Sequence, residues 1–185
     1  VGILFIMRDS NIINKCDKGP KEPYMSCIFT NDNNVEVKLI KGHKNTEDFA
    51  KRDNHEAMFR RINTFLINEK IITKNIIDLG GWVGDNSIPW AMNLPESIIY
   101  CIDPSGSNIR FVKDMCALNK IRNIKTIQVA VSDKKETLTT NGNIDHCSFV
   151  YDNPHNNGKN KEYAVSLDSL HDDGVIKDIG MIHLD

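Results

Sequence analysis

The chain lacks the cysteine, charge and hydropathy signatures of several common functional classes. Its 185 residues include five cysteines, an odd number, and no two of them form a C-x-x-C pair. Neither a zinc knuckle nor a redox dithiol is signalled by such spacing. Cys101 lies in an apolar run and Cys116 on a predicted helix face, as buried free thiols do. A reducing, cytoplasmic setting is the simplest expectation. His43, His55, His146, His155 and His171 share no ligand spacing, and no metal site is expected. An excess of one charge is also missing: 23 basic and 25 acidic side chains leave a net charge of −2. That balance offers no broad field for DNA or RNA, so no nucleic-acid partner is expected. The opening run Val1-Gly2-Ile3-Leu4-Phe5-Ile6-Met7 is far too short to cross a membrane, and no span is expected.

What is present is an ordinary core-forming composition, 40% hydrophobic and 26% charged. Residues 1–52 read as a strand-rich extension, with Asn31-Asp32-Asn33-Asn34 as a hairpin-type turn. Residues 53–185 read as a partial cofactor-binding domain. It opens on a capping box, Asp53-Asn54-His55-Glu56. Met58, Phe59, Ile62, Phe65 and Leu66 follow at helical spacing and predict the apolar face of a packing helix. Strands are predicted at Ile76–Leu79, Ser97–Ile102, Ile124–Val131 and Ile179–Leu184, with helices over 86–94 and 107–119. Such alternation argues an α/β fold with a parallel sheet and helical crossovers. Short strands between Glu136 and Leu167 predict a small antiparallel insertion, with Asn153 to Asn160 as a mobile loop. The chain begins at Val1 and stops on the strand Ile179–Asp185, so it is expected to be part of a longer protein.

The most informative segment is Ile76-Ile77-Asp78-Leu79-Gly80-Gly81-Trp82-Val83-Gly84-Asp85. An apolar strand ends in a carboxylate and opens into a glycine-punctuated turn. In open α/β sheets this is where ligands bind. The dinucleotide fingerprint G-x-G-x-x-G fails from Gly80, where Trp82 and Asp85 occupy the later positions, and from Gly81, where Val83 and Asn86 do. A phosphate-cradling G-x-x-x-x-G-K-[ST] is also absent. What remains is Asp78-x-Gly80-x-x-x-Gly84, with a second acid, Asp103, at the end of the next strand. A carboxylate there can accept both hydroxyls of a ribose. Asp78 could meet an amino group, or could only cap a turn. A ligand with ribose and ammonium but no phosphate describes S-adenosylmethionine.

At these residues the chain resembles the FkbM-like family of S-adenosylmethionine-dependent methyltransferases. The matching pieces are Ile77–Asp85 and Tyr100-Cys101-Ile102-Asp103-Pro104, then Leu118-Asn119, Val129–Asp133, Val165–Leu170 and Ile182–Asp185. The resemblance implies a class I (Rossmann-like) methyltransferase fold, cut off after its fourth core strand. It implies that Asp78, Gly80 and Gly84 border the methionine part of the cofactor, and Gly81 between them is a further cofactor-binding candidate. Asp103 would bind its ribose, and Gln128 to Ala130 would lie near its adenine. Trp82 either narrows the pocket or packs on the following helix. Asp185 would orient an acceptor hydroxyl or bind a cation, or act only in structure. His183, on the same strand face, is a candidate base or a satisfied strand histidine. The implied function is O-methylation of a small-molecule or sugar substrate. The alternatives are a non-catalytic cofactor-binding or structural domain, and, with weaker support, a nicotinamide-dependent oxidoreductase.

Overall fold

The computed structural model describes residues 16–17, 23–55, 57–141, 148–150 and 160–184. The chain starts with three antiparallel strands, β1 (Cys16–Asp17), β2 (Tyr24–Phe29) and β3 (Val35–Ile40), in the order β1-β2-β3. A 3-10 turn at Thr30–Asp32 links β2 to β3, and left-handed Asn33 and Asn34 complete it. Asparagine tolerates that backbone region through local hydrogen bonding, which is why the turn falls there. Alternation along both strands buries Cys27, Phe29, Val37 and Leu39 on one face. Cys27, opposite Cys16 in the register, is disulfide-bonded, whereas Cys101 and Cys116 are free. The reading of free thiols therefore holds for that latter pair and does not extend to Cys27.

Two helices follow, α1 (Thr46–His55) and α2 (Ala57–Asn68). The first falls in the extension expected to be strand-rich, and it runs on through Asp53–His55 of the expected capping box. The second differs more sharply from expectation. Its buried residues are Arg60, Asn63, Thr64 and Ile67, while Met58, Ile62 and Phe65 are exposed. Only Phe59 and Leu66 of the expected apolar face pack against a core cluster. The polar stripe wins the inner side because it finds partners there. Thr64 Oγ1 donates to Asn31 O at 2.7 Å, and Arg60 meets two buried carboxylates. A hydrogen-bonded polar group loses little on burial, so amphipathic periodicity alone misassigns this helix.

The remaining elements are β4 (Asn75–Leu79), α3 (Ser87–Asn93), β5 (Ile99–Ile102), α4 (Gly106–Asn119), β6 (Ile124–Ile127), β7 (Ala130–Val131), β8 (Glu136–Asn141), β9 (Ser148–Val150), β10 (Asn160–Val165), α5 (Leu167–Asp172) and β11 (Ile179–Leu184). The central sheet has the order β11-β4-β5-β6, and every pair is parallel. Ile76 and Ile77 point to opposite faces of β4 and enter different apolar clusters. Both faces of β4 and β5 are covered, as near-continuous apolar strands require. A third cluster joins the hairpin residues to Val83, Ile88, Phe111 and Met115. This is the α/β architecture of a class I, Rossmann-like methyltransferase. Among the described residues, no helix is long and apolar enough to cross a membrane.

The strand expected over Ile124–Val131 is divided. β6 ends at Ile127, and β7 joins a separate sheet of order β7-β10-β8-β9. Ala130 and Val131 pair in parallel with Ala164 and Val165, so the expected antiparallel insertion contains one parallel edge. The expected mobile loop lies mostly outside the described residues. Asn123, just before β6, ties this side of the molecule together. Its amide nitrogen donates to the carbonyls of Ala91, Leu94 and Ser97 at 2.9–3.0 Å. Asn123→Ala should cost about 1–3 kcal/mol, because the partly buried carbonyls lose their donor. Urea unfolding of the variant against the parent protein measures that loss.

Candidate cofactor site

The site is built where β4 and β5 end side by side, with Asp78 opposite Cys101 and Leu79 opposite Ile102. After Leu79 the backbone turns through three left-handed residues, Gly80 (φ 78°), Trp82 (φ 39°) and Gly84 (φ 74°). Glycine reaches that region without penalty. A bulky residue such as Trp82 is there at a cost, and strained positions of this kind cluster at ligand sites. Gly80 and Gly81 both donate to the carbonyl of Ile102, at 2.9 and 3.1 Å. Gly84 then accepts from Ile88, and α3 begins. Pro89 falls in the first turn of α3, where its missing N–H leaves no intrahelical bond unmade. Gly81 is required for packing: a Cβ there would stand 2.5 Å from Cys101 Sγ.

Asp103 is the hinge between the two strand ends. It is 6% exposed, and its Oδ2 accepts the Trp82 backbone N–H at 3.0 Å. Its Oδ1 accepts from Ser105 N at 2.8 Å and from Asn108 Nδ2 at 3.2 Å. One carboxylate thus holds both the glycine loop and the start of α4, whose first turn is capped by Ser105. Trp82 packs against the cluster that contains Val83, Ile88 and Phe111.

Asp78 is more deeply enclosed, at 1% exposure. Its Oδ1 lies 2.9 Å from His183 Nδ1 on the neighbouring strand, and Ser87 Oγ donates to its Oδ2. The parallel register sets His183 directly beside Asp78. The His183 ring lies between Phe59, at 4.9 Å, and Trp90, at 5.4 Å and nearly perpendicular. It is a hydrogen-bonded, ring-packed histidine rather than one open to solvent. Asp185 lies outside the described residues. Gln128 is exposed and its amide faces Gly106, where a Cβ would come within 3.0 Å of Nε2. Ala130 is buried and belongs to the second sheet.

Two residues of this site escaped the sequence reading. Ser87 supplies the donor for Asp78, and its only trace in the sequence is a hydroxyl at a helix start. Arg60, which beside Arg61 reads in the sequence as solvated surface, is instead fully buried and reaches the loop from α2. Burial first, and the Asp78 carboxylate second, push the Cys101 thiol well above its ordinary range. Burial pushes Cys116 up to about 11. Neither thiol is a nucleophile near neutral pH.

The residues present fit S-adenosylmethionine by their charge. No Lys or Arg occurs in residues 78–87 or 103–108, so neither segment offers a cationic side chain to a phosphate, while both carry acids. A ligand bearing ammonium, sulfonium and ribose hydroxyls matches that set. Gly81→Ala should destabilise the protein by about 1–3 kcal/mol through the Cys101 clash. In a double-mutant cycle, Cys101→Ala should relieve about 1 kcal/mol of that cost, read by chemical denaturation.

No protein-family model matches the chain. A stretch of 83 residues, 44% of the chain, is 30% identical to the Ribosomal RNA small subunit methyltransferase G of Photobacterium profundum, covering 40% of that protein. The same protein of Colwellia psychrerythraea is 29% identical over 83 residues, with 40% of its length covered. That of Vibrio vulnificus is 29% identical over 83 residues, with 39% covered. The chain thus spans about 40% of the length of the curated relatives it matches. These relatives overturn the FkbM-like expectation. Its motifs are the strand ends and glycine turn of the fold, which report cofactor geometry and not the acceptor. They equally overturn the expected small-molecule or sugar substrate and the expected lack of a nucleic-acid partner. Net charge is a weak guide to such partners, because it sums over a surface far larger than a Debye length of about 8 Å, within which local cations act.

Proposed function

We propose that this chain carries the cofactor-binding core of an S-adenosylmethionine-dependent methyltransferase whose acceptor is a nucleotide within RNA. The observation that carries this reading is the linkage of the glycine loop to Asp103 across two adjacent strand ends. The cofactor supplies a methyl group activated on a sulfonium. The chain's own residues bind and orient it. Asp103 is the ribose acceptor, with Gly80, Gly81 and Gly84 giving the backbone close approach. Asp78, 1% exposed and bonded to Ser87 and His183, has the part of holding the loop, α3 and His183 in register. His183 thereby acts through Asp78 and is not assigned a proton transfer.

The RNA assignment draws on the printed names of the matched relatives. It has support in the surface beside the site. Arg110 and Lys113 are exposed on the first half of α4, the helix that starts beside Asp103, with Asp114 next to them. Cations so placed can meet phosphates locally even when the whole chain is slightly acidic.

Calorimetry with S-adenosylhomocysteine and with NADH tests the cofactor, and transfer of a labelled methyl group to small-subunit ribosomal RNA tests the acceptor. S-adenosylhomocysteine should bind, and Asp103→Ala should weaken it at least tenfold. Label should appear in RNA in the presence of the parent protein and fall with Asp103→Ala. Binding of NADH without S-adenosylhomocysteine would overturn the cofactor. Label confined to small molecules would overturn the acceptor.

A further inference from the structure

We propose that Arg60 is a positioning residue for the glycine loop, acting through a buried charge triad with Asp32 and Asp85. The inference rests on the cofactor reading above and adds a residue far from the strand ends. Arg60 has no exposed surface, and Asp32 and Asp85 are 1% and 2% exposed. Its Nη2 donates to Asp85 Oδ2 at 3.0 Å, while Nη1 lies 3.2 Å from the Asp85 carbonyl and 3.3 Å from Asp32 Oδ2. The guanidinium therefore grips both the side chain and the main chain of the residue that follows Gly84. Fixing a carbonyl as well as a carboxylate sets a backbone orientation, which a point charge could not do.

The other end of the triad is equally held. Asn93 Nδ2 donates to the Asp32 carbonyl at 3.2 Å, and Thr64 Oγ1 to the preceding Asn31 carbonyl at 2.7 Å. The turn between β2 and β3, the inner face of α2 and the end of the glycine loop are thus one hydrogen-bonded unit. A buried ion cluster gives little net stability over an apolar replacement of the same shape. What this one supplies is a single geometry for the loop, and hence for the ligand that meets Gly80 to Gly84.

The test uses Arg60→Met and Arg60→Lys, with Leu170→Ala as a control that loosens the core cluster on the face of the sheet opposite α2. Two readouts are taken: S-adenosylhomocysteine affinity by calorimetry, and hydrogen exchange of the amides from Trp82 to Ser87. Arg60→Met should weaken binding at least tenfold and Arg60→Lys by an intermediate factor. Exchange over Trp82–Ser87 should rise at least tenfold in both. Leu170→Ala should change neither readout by more than twofold, even where its melting temperature falls as far. If Arg60→Met does not fold, Arg60→Lys decides. Affinity and exchange within twofold of the parent in a folded Arg60 variant would overturn the proposal. A parent protein that binds no S-adenosylhomocysteine would overturn the cofactor reading instead. The exchange readout would still decide whether Arg60 holds the loop.

Discussion

A guanidinium taken fully out of water must be met by carboxylates and carbonyls, or its desolvation unfolds what surrounds it. Arg60 satisfies that demand with Asp32 and Asp85, and three distant segments are drawn together as a result. This explains the reversed burial of α2, whose polar stripe faces inward and whose Met58, Ile62 and Phe65 face out. It also explains how the N-terminal hairpin shares a core with the glycine loop and α4 instead of standing apart.

The strand-end acids illustrate how the same chemistry serves structure and binding. Asp103 accepts three hydrogen bonds that close the loop and cap its own turn. Asp78 is shared between a serine at the start of α3 and a histidine on the next strand. These bonds preorganise the turn before any ligand arrives, which lowers the ordering cost of binding. The matched relatives then change the view of the acceptor. Features that identify a nucleoside-type cofactor are common to enzymes acting on many substrates, so the strand–loop motifs carried no information about RNA.

Much of the core was legible in the sequence. Apolar runs at Ile76–Leu79 and Ile179–Leu184, the glycine turn and Pro89 near a helix start each encode a local preference that the fold keeps. The left-handed asparagines after the 3-10 turn belong to the same class. Less legible was the break after Ile127, where the chain leaves one sheet for another. Strand propensity is continuous across Gln128 and Val129, and only the available partners end the pairing.

By itself, the sequence determined the alternation of strands and helices, the failure of phosphate-binding patterns and the two acids at adjacent strand ends. Those properties depend on neighbours along the chain, where spacing maps directly onto geometry. Tertiary structure alone decided which side of α2 is buried and that His183 engages Asp78. It also decided that Asp103 ties the Trp82 backbone to the start of α4. Apart from the local bond between Asp103 and Ser105, the deciding contacts join residues 21 to 105 positions apart. Burial and hydrogen bonding over such separations are settled by the packed fold as a whole.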